Sequence, residues 1–296
     1  MTRLIADSGS TKTHWAFVQK QPGLPAVIHT ATTQGLNPLY VTPQQVTEAL
    51  RQVLAQVGEG RPDEVCFYGS GCSGQRVAVV EQALRAALTP MTRVSVQSDL
   101  LGAALALTAP MQGTSAATGR SPFISCIMGT GSIAALYDPS SQQLRAMPAL
   151  GYILGDEGSG AWFGRQLLGD YLKRQMPPQA REAFEDDFGP ISAESAIQHV
   201  YQQPAPNRYL ATFAMFLGRH LDLRYSQELA YRGVDSFWRR NVLPIAQLPE
   251  GEDVYDVRMV GSAAYYLRSV IEQVAASHDY VVTRILKDPI EGLVAR

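Results

Sequence analysis

Residues 4–18 read LIADSGSTKTHWAFV, and residues 126–138 read CIMGTGSIAALYD. Both follow one plan: an apolar strand-like run, a turn of glycine and small hydroxyl residues, then a second strand-like run. In the first, Arg3 to Asp7 predicts a strand, Gly9–Ser10 a turn, and Thr13 to Gln19 a second strand. In the second, the strands Phe123 to Met128 and Ile133 to Asp138 flank Gly129, Thr130, Gly131 and Ser132. A plan repeated about one domain apart is the mark of an internal duplication.

Working outward, Ala26 to Thr30 predicts a third strand, followed by the loop Gln34-Gly-Leu-Asn-Pro38. Pro43 opens a helix whose apolar positions Val46, Leu50, Val53, Leu54 and Val57 share one face. Glu64 to Tyr68 predicts a buried strand ending in the glycine-rich loop Gly69-Ser-Gly-Cys-Ser-Gly74. A helix (Val77 to Leu88), a strand (Arg93 to Gln97) and a helix starting at Ser98–Asp99 follow, and this alternation indicates an α/β fold. Gln112 to Ser121 is rich in Gly, Ser and Thr and predicts the domain boundary. That gives residues 1–112 and 113–284, with a C-terminal helix over about 285–296 returning to the first domain. Beyond the second hairpin come the loop Leu154-Gly-Asp-Glu-Gly-Ser-Gly160, several helices between Ala161 and Leu243, a strand (Val257 to Val260), a Gly261–Ser262 turn, and a helix through Val274.

At 296 residues and 46% hydrophobic, the chain exceeds one ordinary core, so two closely joined domains are expected. The net charge is −2 and the 25 Lys and Arg residues form no basic stripe, which argues against a nucleic-acid partner. The longest apolar run, Leu100 to Leu107, is too short to span a bilayer, so no membrane partner is expected. Met1 leads into a strand without a charged-then-apolar leader, and the cysteines Cys66, Cys72 and Cys126 lack disulfide or zinc spacing. A reducing cytoplasm is the expected location.

A phosphate needs backbone N–H groups converging on its oxygens, and glycine at a tight turn lets the main chain approach. Asp7-Ser-Gly-Ser-Thr-Lys-Thr13 supplies such a turn with hydroxyls and a cation. It is not a P-loop, because the GxxxxGK[ST] pattern is missing and a strand, not a helix, follows. On its residues alone it reads equally as an exposed hairpin. Asp99 stands at a strand-to-helix junction, where a carboxylate serves either as general base or as a helix-starting residue. Asn37 before Pro38 fits a plain turn, and Asp156 and Glu157 fit a solvated acidic loop. Trp15, Trp162 and Trp238 read as core residues.

Taken in order, DSGSTKT (7–13), GLNP (35–38), YGSGC (68–72), SDLLGAA (98–104), GTGS (129–132), LGDEGSG (154–160) and VGSAA (260–264) resemble the N-acetylglucosamine kinase and BadF/BadG-type ATPase family. That family lies within the sugar kinase, heat-shock chaperone and actin superfamily, and the resemblance covers residues 4 to about 265. It implies a two-domain actin-like ATPase fold, ribonuclease H-like and duplicated, with an interdomain cleft. It also implies ATP and Mg²⁺ as cofactors and an amino sugar as substrate, and it allows a homodimer. Carried over by position, Asp7 would hold Mg²⁺ through water, and Gly9, Ser10, Thr11, Lys12 and Thr13 would face the β- and γ-phosphates. Gly129, Thr130, Gly131 and Ser132 would form the second phosphate clamp, and Gly261 and Ser262 the adenosine element. Asp99 would be the general base for the sugar 6-hydroxyl, itself touching the sugar, with Asn37, Gly69, Ser70, Gly71 and Asp156 binding the remainder.

Two other functions share this resemblance. An ATPase activating a radical enzyme would need cysteines for an iron–sulfur cluster, and only Cys72 stands in a suitable loop. A non-catalytic sugar sensor would need a DNA-binding segment ahead of the first hairpin, and the hairpin begins at residue 3.

Overall fold

The computed structural model describes residues 2–20, 26–57, 61–109, 121–247 and 255–296. The chain divides into two compact units, Met1–Gly119 with Pro289–Arg296, and Arg120–Asp288. The boundary expected at 112/113 lies outside the described residues.

Unit 1 holds one five-stranded sheet made of β1 (Thr2–Ser8), β2 (Lys12–Gln19), β3 (Val27–Gln34), β4 (Glu64–Gly69) and β5 (Arg93–Ser98), in the order β3-β2-β1-β4-β5. The hairpin partners are antiparallel, whereas β4 and β5 run parallel to β1. Helix α1 (Pro43–Gln56) starts with a capping box between Thr42 and Gln45 and buries Val46, Ala49, Leu50 and Val53. With α2 (Gln75–Arg85) it covers a core built on Leu4, Trp15, Phe17 and Phe67. Helix α3 (Asp99–Leu107) follows β5 directly, capped by the Ser98 hydroxyl.

Unit 2 repeats this layout. Its strands are β6 (Phe123–Met128), β7 (Ser132–Asp138), β8 (Gln143–Ala146), β9 (Val257–Val260) and β10 (Val282–Leu286), in the order β10-β9-β6-β7-β8. Read from its other end, the second sheet matches the first strand for strand, with antiparallel and parallel pairs in the same places. The duplication expected from the two hairpins is therefore a duplication of the whole sheet.

Between β8 and β9 run α4 (Gly151–Leu154), α5 (Gly160–Leu172), α6 (Pro178–Phe188), α7 (Ala193–Ile197), α8 (Pro206–Phe213), α9 (Met215–Arg219), α10 (Arg224–Phe237) and α11 (Leu243–Ala246). Phe184 lies at the centre of an aromatic cluster with Tyr171, Phe188, Phe213 and Phe216. After β9, the helix expected to run through Val274 is two helices, α12 (Ser262–Tyr266) and α13 (Arg268–Ser277), broken at Leu267. The C-terminal helix α14 (Pro289–Val294) starts later than expected, because residues 285 and 286 close β10 and proline suits a first helical position. It packs on α3, where Gly292 lies against the Ala106 carbonyl and a side chain would not fit. All three cysteines are free and buried, as are Trp15 and Trp238. Among the described residues no helix is long and apolar enough to cross a membrane.

Candidate active site

In unit 1 the site begins with Ser8, the last residue of β1 and fully buried. Its hydroxyl meets Thr13 Oγ1 at 2.8 Å and accepts the Leu36 N–H at 3.0 Å, and its carbonyl accepts the Ser70 N–H at 2.8 Å. One residue thus ties the first glycine turn to the loop before α1 and to the loop after β4. Gly35 tightens the same junction: its N–H donates to the Thr11 carbonyl at 2.9 Å, and any Cβ there would strike the carbonyls of Gly9 and Ser10. Neither Ser8 nor Gly35 is identified as a site residue from sequence; the GLNP and DSGSTKT motifs contain them without revealing that they touch.

The turn itself closes through the Gly9 N–H on the Lys12 carbonyl at 3.0 Å, leaving Thr11 and Lys12 exposed and Ser10 half-buried. Thr13 follows the turn as a residue of β2. It is fully buried, and its hydroxyl is committed to Ser8 and to the Gln34 carbonyl at 2.9 Å. Asp7 is half-buried one residue before the turn, opposite His14.

Around Asp99 the structure gathers residues from three loops. Asn37 is buried; its Nδ2 donates to Ser70 Oγ at 3.4 Å and its Oδ1 accepts the Leu39 N–H at 2.9 Å. Gly71 has φ +76°, and a Cβ on it would strike the Asn37 amide, so only glycine lets the loop fold against Asn37. Gly69 is needed for packing, since its Cβ would come within 2.7 Å of Cys72 Sγ. Asp99 Oδ1 accepts the Leu100 N–H at 2.9 Å, and the nearby Ser70 hydroxyl also favours the ionised carboxylate. Burial nonetheless outweighs these interactions and the helix start, and pushes the Asp99 carboxyl up to about 6. It remains mostly ionised at neutral pH. Cys72, unremarked in the sequence beyond its loop position, is buried beside it. Burial, with the Asp99 charge adding, pushes that thiol up to about 12.

Unit 2 builds a second turn of the same kind, one residue shorter. The Gly129 N–H donates to the Gly131 carbonyl at 2.9 Å, and the start of α5 is stitched to it by Gly160 N–H on the Gly129 carbonyl at 2.7 Å and Ala161 N–H on Thr130 at 3.1 Å. Ser132 is buried and gives its hydroxyl to the Glu157 carbonyl at 2.6 Å, much as Thr13 turns inward in unit 1. Asp156 holds φ +56°, its Oδ1 accepts the Ser132 N–H at 3.2 Å, and Gly131 leaves room for its carboxylate. Burial raises the Asp156 carboxyl above its ordinary value, the Ser132 amide opposes this, and the Glu157 charge adds to it. The acidic loop is not solvated: Glu157 is 8% exposed, paired with Arg240 at 2.8 Å and with Asn241 at 3.3 Å. Gly261, with φ +120°, ends β9 against the Met128 carbonyl, where a Cβ would clash, and Ser262 opens α12 at the surface.

The two turns are equivalent in the duplicated sheets, and besides their length they differ at a paired strand position ahead of them. Asp7 pairs with His14, and the matching position in unit 2 is Ile127, paired with Ile133. A carboxylate suited to a hard cation stands at this position in the first copy only.

No family model matches the chain, and no curated protein does. Solved structures do. A protein from Chromobacterium violaceum to which N-acetylglucosamine kinase activity is ascribed has a TM-score of 0.65 at 21% identity, covering 100% of this chain and 99% of its own. A glucokinase from an Antarctic psychrotroph has a TM-score of 0.50 at 14% identity, covering 99% and 98%. These likenesses establish the fold as the α/β, two-domain actin-like architecture. A protein from Porphyromonas gingivalis, also ascribed N-acetylglucosamine kinase activity, is 36% identical over 98% of this chain and 96% of its own, with a TM-score of 0.84. The chain belongs to that N-acetylglucosamine kinase family of ATP-dependent sugar kinases.

Proposed function

We propose that this protein transfers the γ-phosphoryl group of ATP to the 6-hydroxyl of an amino sugar, N-acetylglucosamine foremost. The observation that carries this reading is the Asp99 cluster. A carboxylate raised to about 6 lies with Ser70, Asn37 and Gly71, and Ser8 joins that cluster to the first glycine turn. A base near this value is ionised at neutral pH yet still able to accept a proton.

In this reading Asn37, Ser70 and Gly71 orient the sugar, and Asp99 takes the proton of the 6-hydroxyl as its oxygen attacks phosphorus. Gly9, Ser10, Thr11 and Lys12 present amides, hydroxyls and a cation to phosphate oxygens, while Thr13 and Gly69 support the loops without touching ligand. In unit 2 the nucleotide contacts are given to Gly129, Thr130, Gly131 and Gly261–Ser262, with Ser132 as support, and a sugar hydroxyl to Asp156. Oxygen donors fit Mg²⁺, and Asp7 is the residue that would hold it through water; the ion would neutralise phosphate charge.

The test is ATP consumption with glucose, glucosamine, N-acetylglucosamine, N-acetylmuramic acid and N-acetylmannosamine, against a control without sugar. Consumption that requires sugar, fastest with N-acetylglucosamine, supports the reading. Equal consumption with and without sugar would replace it by an ATPase that activates a partner, and sugar binding without consumption by a sensor.

A further inference from the structure

We infer that Arg240 and Asn241 are positioning residues for Asp156, acting through Glu157; the sugar contact of Asp156 rests on the kinase reading above. Between α10 and α11 the chain winds as a π-helical turn, Trp238–Val242. Such turns cost hydrogen-bond geometry, and they occur often where side chains must be re-aimed at functional sites. Trp238, its first residue, is fully buried and anchors the turn in the core.

The turn aims two successive side chains at one target. Arg240 Nε pairs with Glu157 Oε1 at 2.8 Å, and Asn241 Nδ2 donates to Glu157 Oε2 at 3.3 Å. Both oxygens of a nearly buried carboxylate are thereby satisfied, which such a group requires. Glu157 in turn accepts the Ser132 hydroxyl on its carbonyl at 2.6 Å, while Asp156 accepts the Ser132 N–H at 3.2 Å. The two acidic neighbours therefore grip one serine from both sides. Asp156 is held in a left-handed conformation that costs a non-glycine residue about 1 kcal/mol or more, so the hold on Glu157 opposes relaxation of Asp156. Asp156 Oδ2 receives no hydrogen bond from the described residues, which leaves it available to a ligand hydroxyl. Arg240 is largely exposed, so replacing it spares the core.

The experiment compares wild type with Arg240→Ala, Arg240→Lys, Glu157→Gln and the Arg240→Ala/Glu157→Gln double variant, by steady-state kinetics and by amide exchange over residues 155–160. We expect Arg240→Ala to raise the sugar KM about tenfold with kcat and ATP KM nearly unchanged. Arg240→Lys should recover most of this, and the double variant should be no worse than the poorer single one. Exchange over residues 155–160 should quicken in Arg240→Ala. An unchanged sugar KM, a matching rise in ATP KM, or strictly additive losses would overturn the inference. If wild type shows no sugar-dependent turnover, the kinase reading fails separately; exchange then decides, unchanged rates in Arg240→Ala overturning the hold on Asp156 and quickened rates upholding it.

Discussion

The backbone N–H of Leu36 donates to the hydroxyl of Ser8 at 3.0 Å, deep in unit 1. Through this bond the loop carrying Asn37 takes its place from the strand end that starts the first glycine turn. Ser8→Ala should orphan the Leu36 N–H, and a buried unsatisfied group costs about 1–3 kcal/mol. Denaturant melts should register that loss, and the KM values for ATP and sugar should both rise. Unchanged KM for both would separate the Ser8 hub from the site.

Asp99 gives a pH signature. With its carboxyl pushed up to about 6, turnover should fall about tenfold per pH unit below that value and be flat above about pH 7. Asp99→Asn should lower kcat about a hundredfold or more while nucleotide binding, followed by calorimetry, stays nearly intact. An acid limb that persists unchanged in a still-active Asn variant would assign the titration elsewhere.

The same group predicts a stability difference of fixed sign. Its folded pKa is raised from an ordinary 3.8 to about 6, so the folded state prefers the protonated form. The stabilisation this brings is complete below about 4 and is lost as pH rises through about 6. It amounts to about 3 kcal/mol. Relative to wild type, Asp99→Asn should therefore gain stability between pH 4 and pH 8, as measured by paired urea titrations.

Gly71→Ala and Gly35→Ala probe the two loops independently. Alanine at 71 adopts φ +76° only with strain and pushes on the Asn37 amide, so sugar KM should rise tenfold or more with less effect on ATP. Alanine at 35 runs into the carbonyls of Gly9 and Ser10, so the ATP KM should respond first. Reversed sensitivities would exchange the roles proposed for these loops.

The strands Phe123–Met128 and Val257–Val260 are legible in the sequence at their observed bounds, each ending at a glycine turn. By contrast β8, QLRA, alternates over only four largely exposed residues, too short a run to announce a strand; it is one because its backbone bonds to β7. The gathering of Asn37, Gly71 and Asp99 is foreshadowed by motifs, but the reasons for it are tertiary. Gly71 is required by Asn37, 34 positions away, and Ser8 matters because of Leu36 and Ser70. Glu157 looks like one half of a solvated acidic pair until Arg240 and Asn241, more than 80 residues on, arrive beside it.

The three buried thiols make the chain its own clock. Cys66 and Cys72 belong to unit 1 and Cys126 to unit 2, and none is presented to solvent in the folded protein. An alkylating reagent can therefore mark each sulfur only when its surroundings open, and peptide mass spectrometry can read the marks separately. Sugar and nucleotide that hold the Asp99 cluster closed would delay the mark on Cys72 before that on Cys126. Ligand occupancy then becomes visible as an order of labelling, with no catalytic turnover needed to see it.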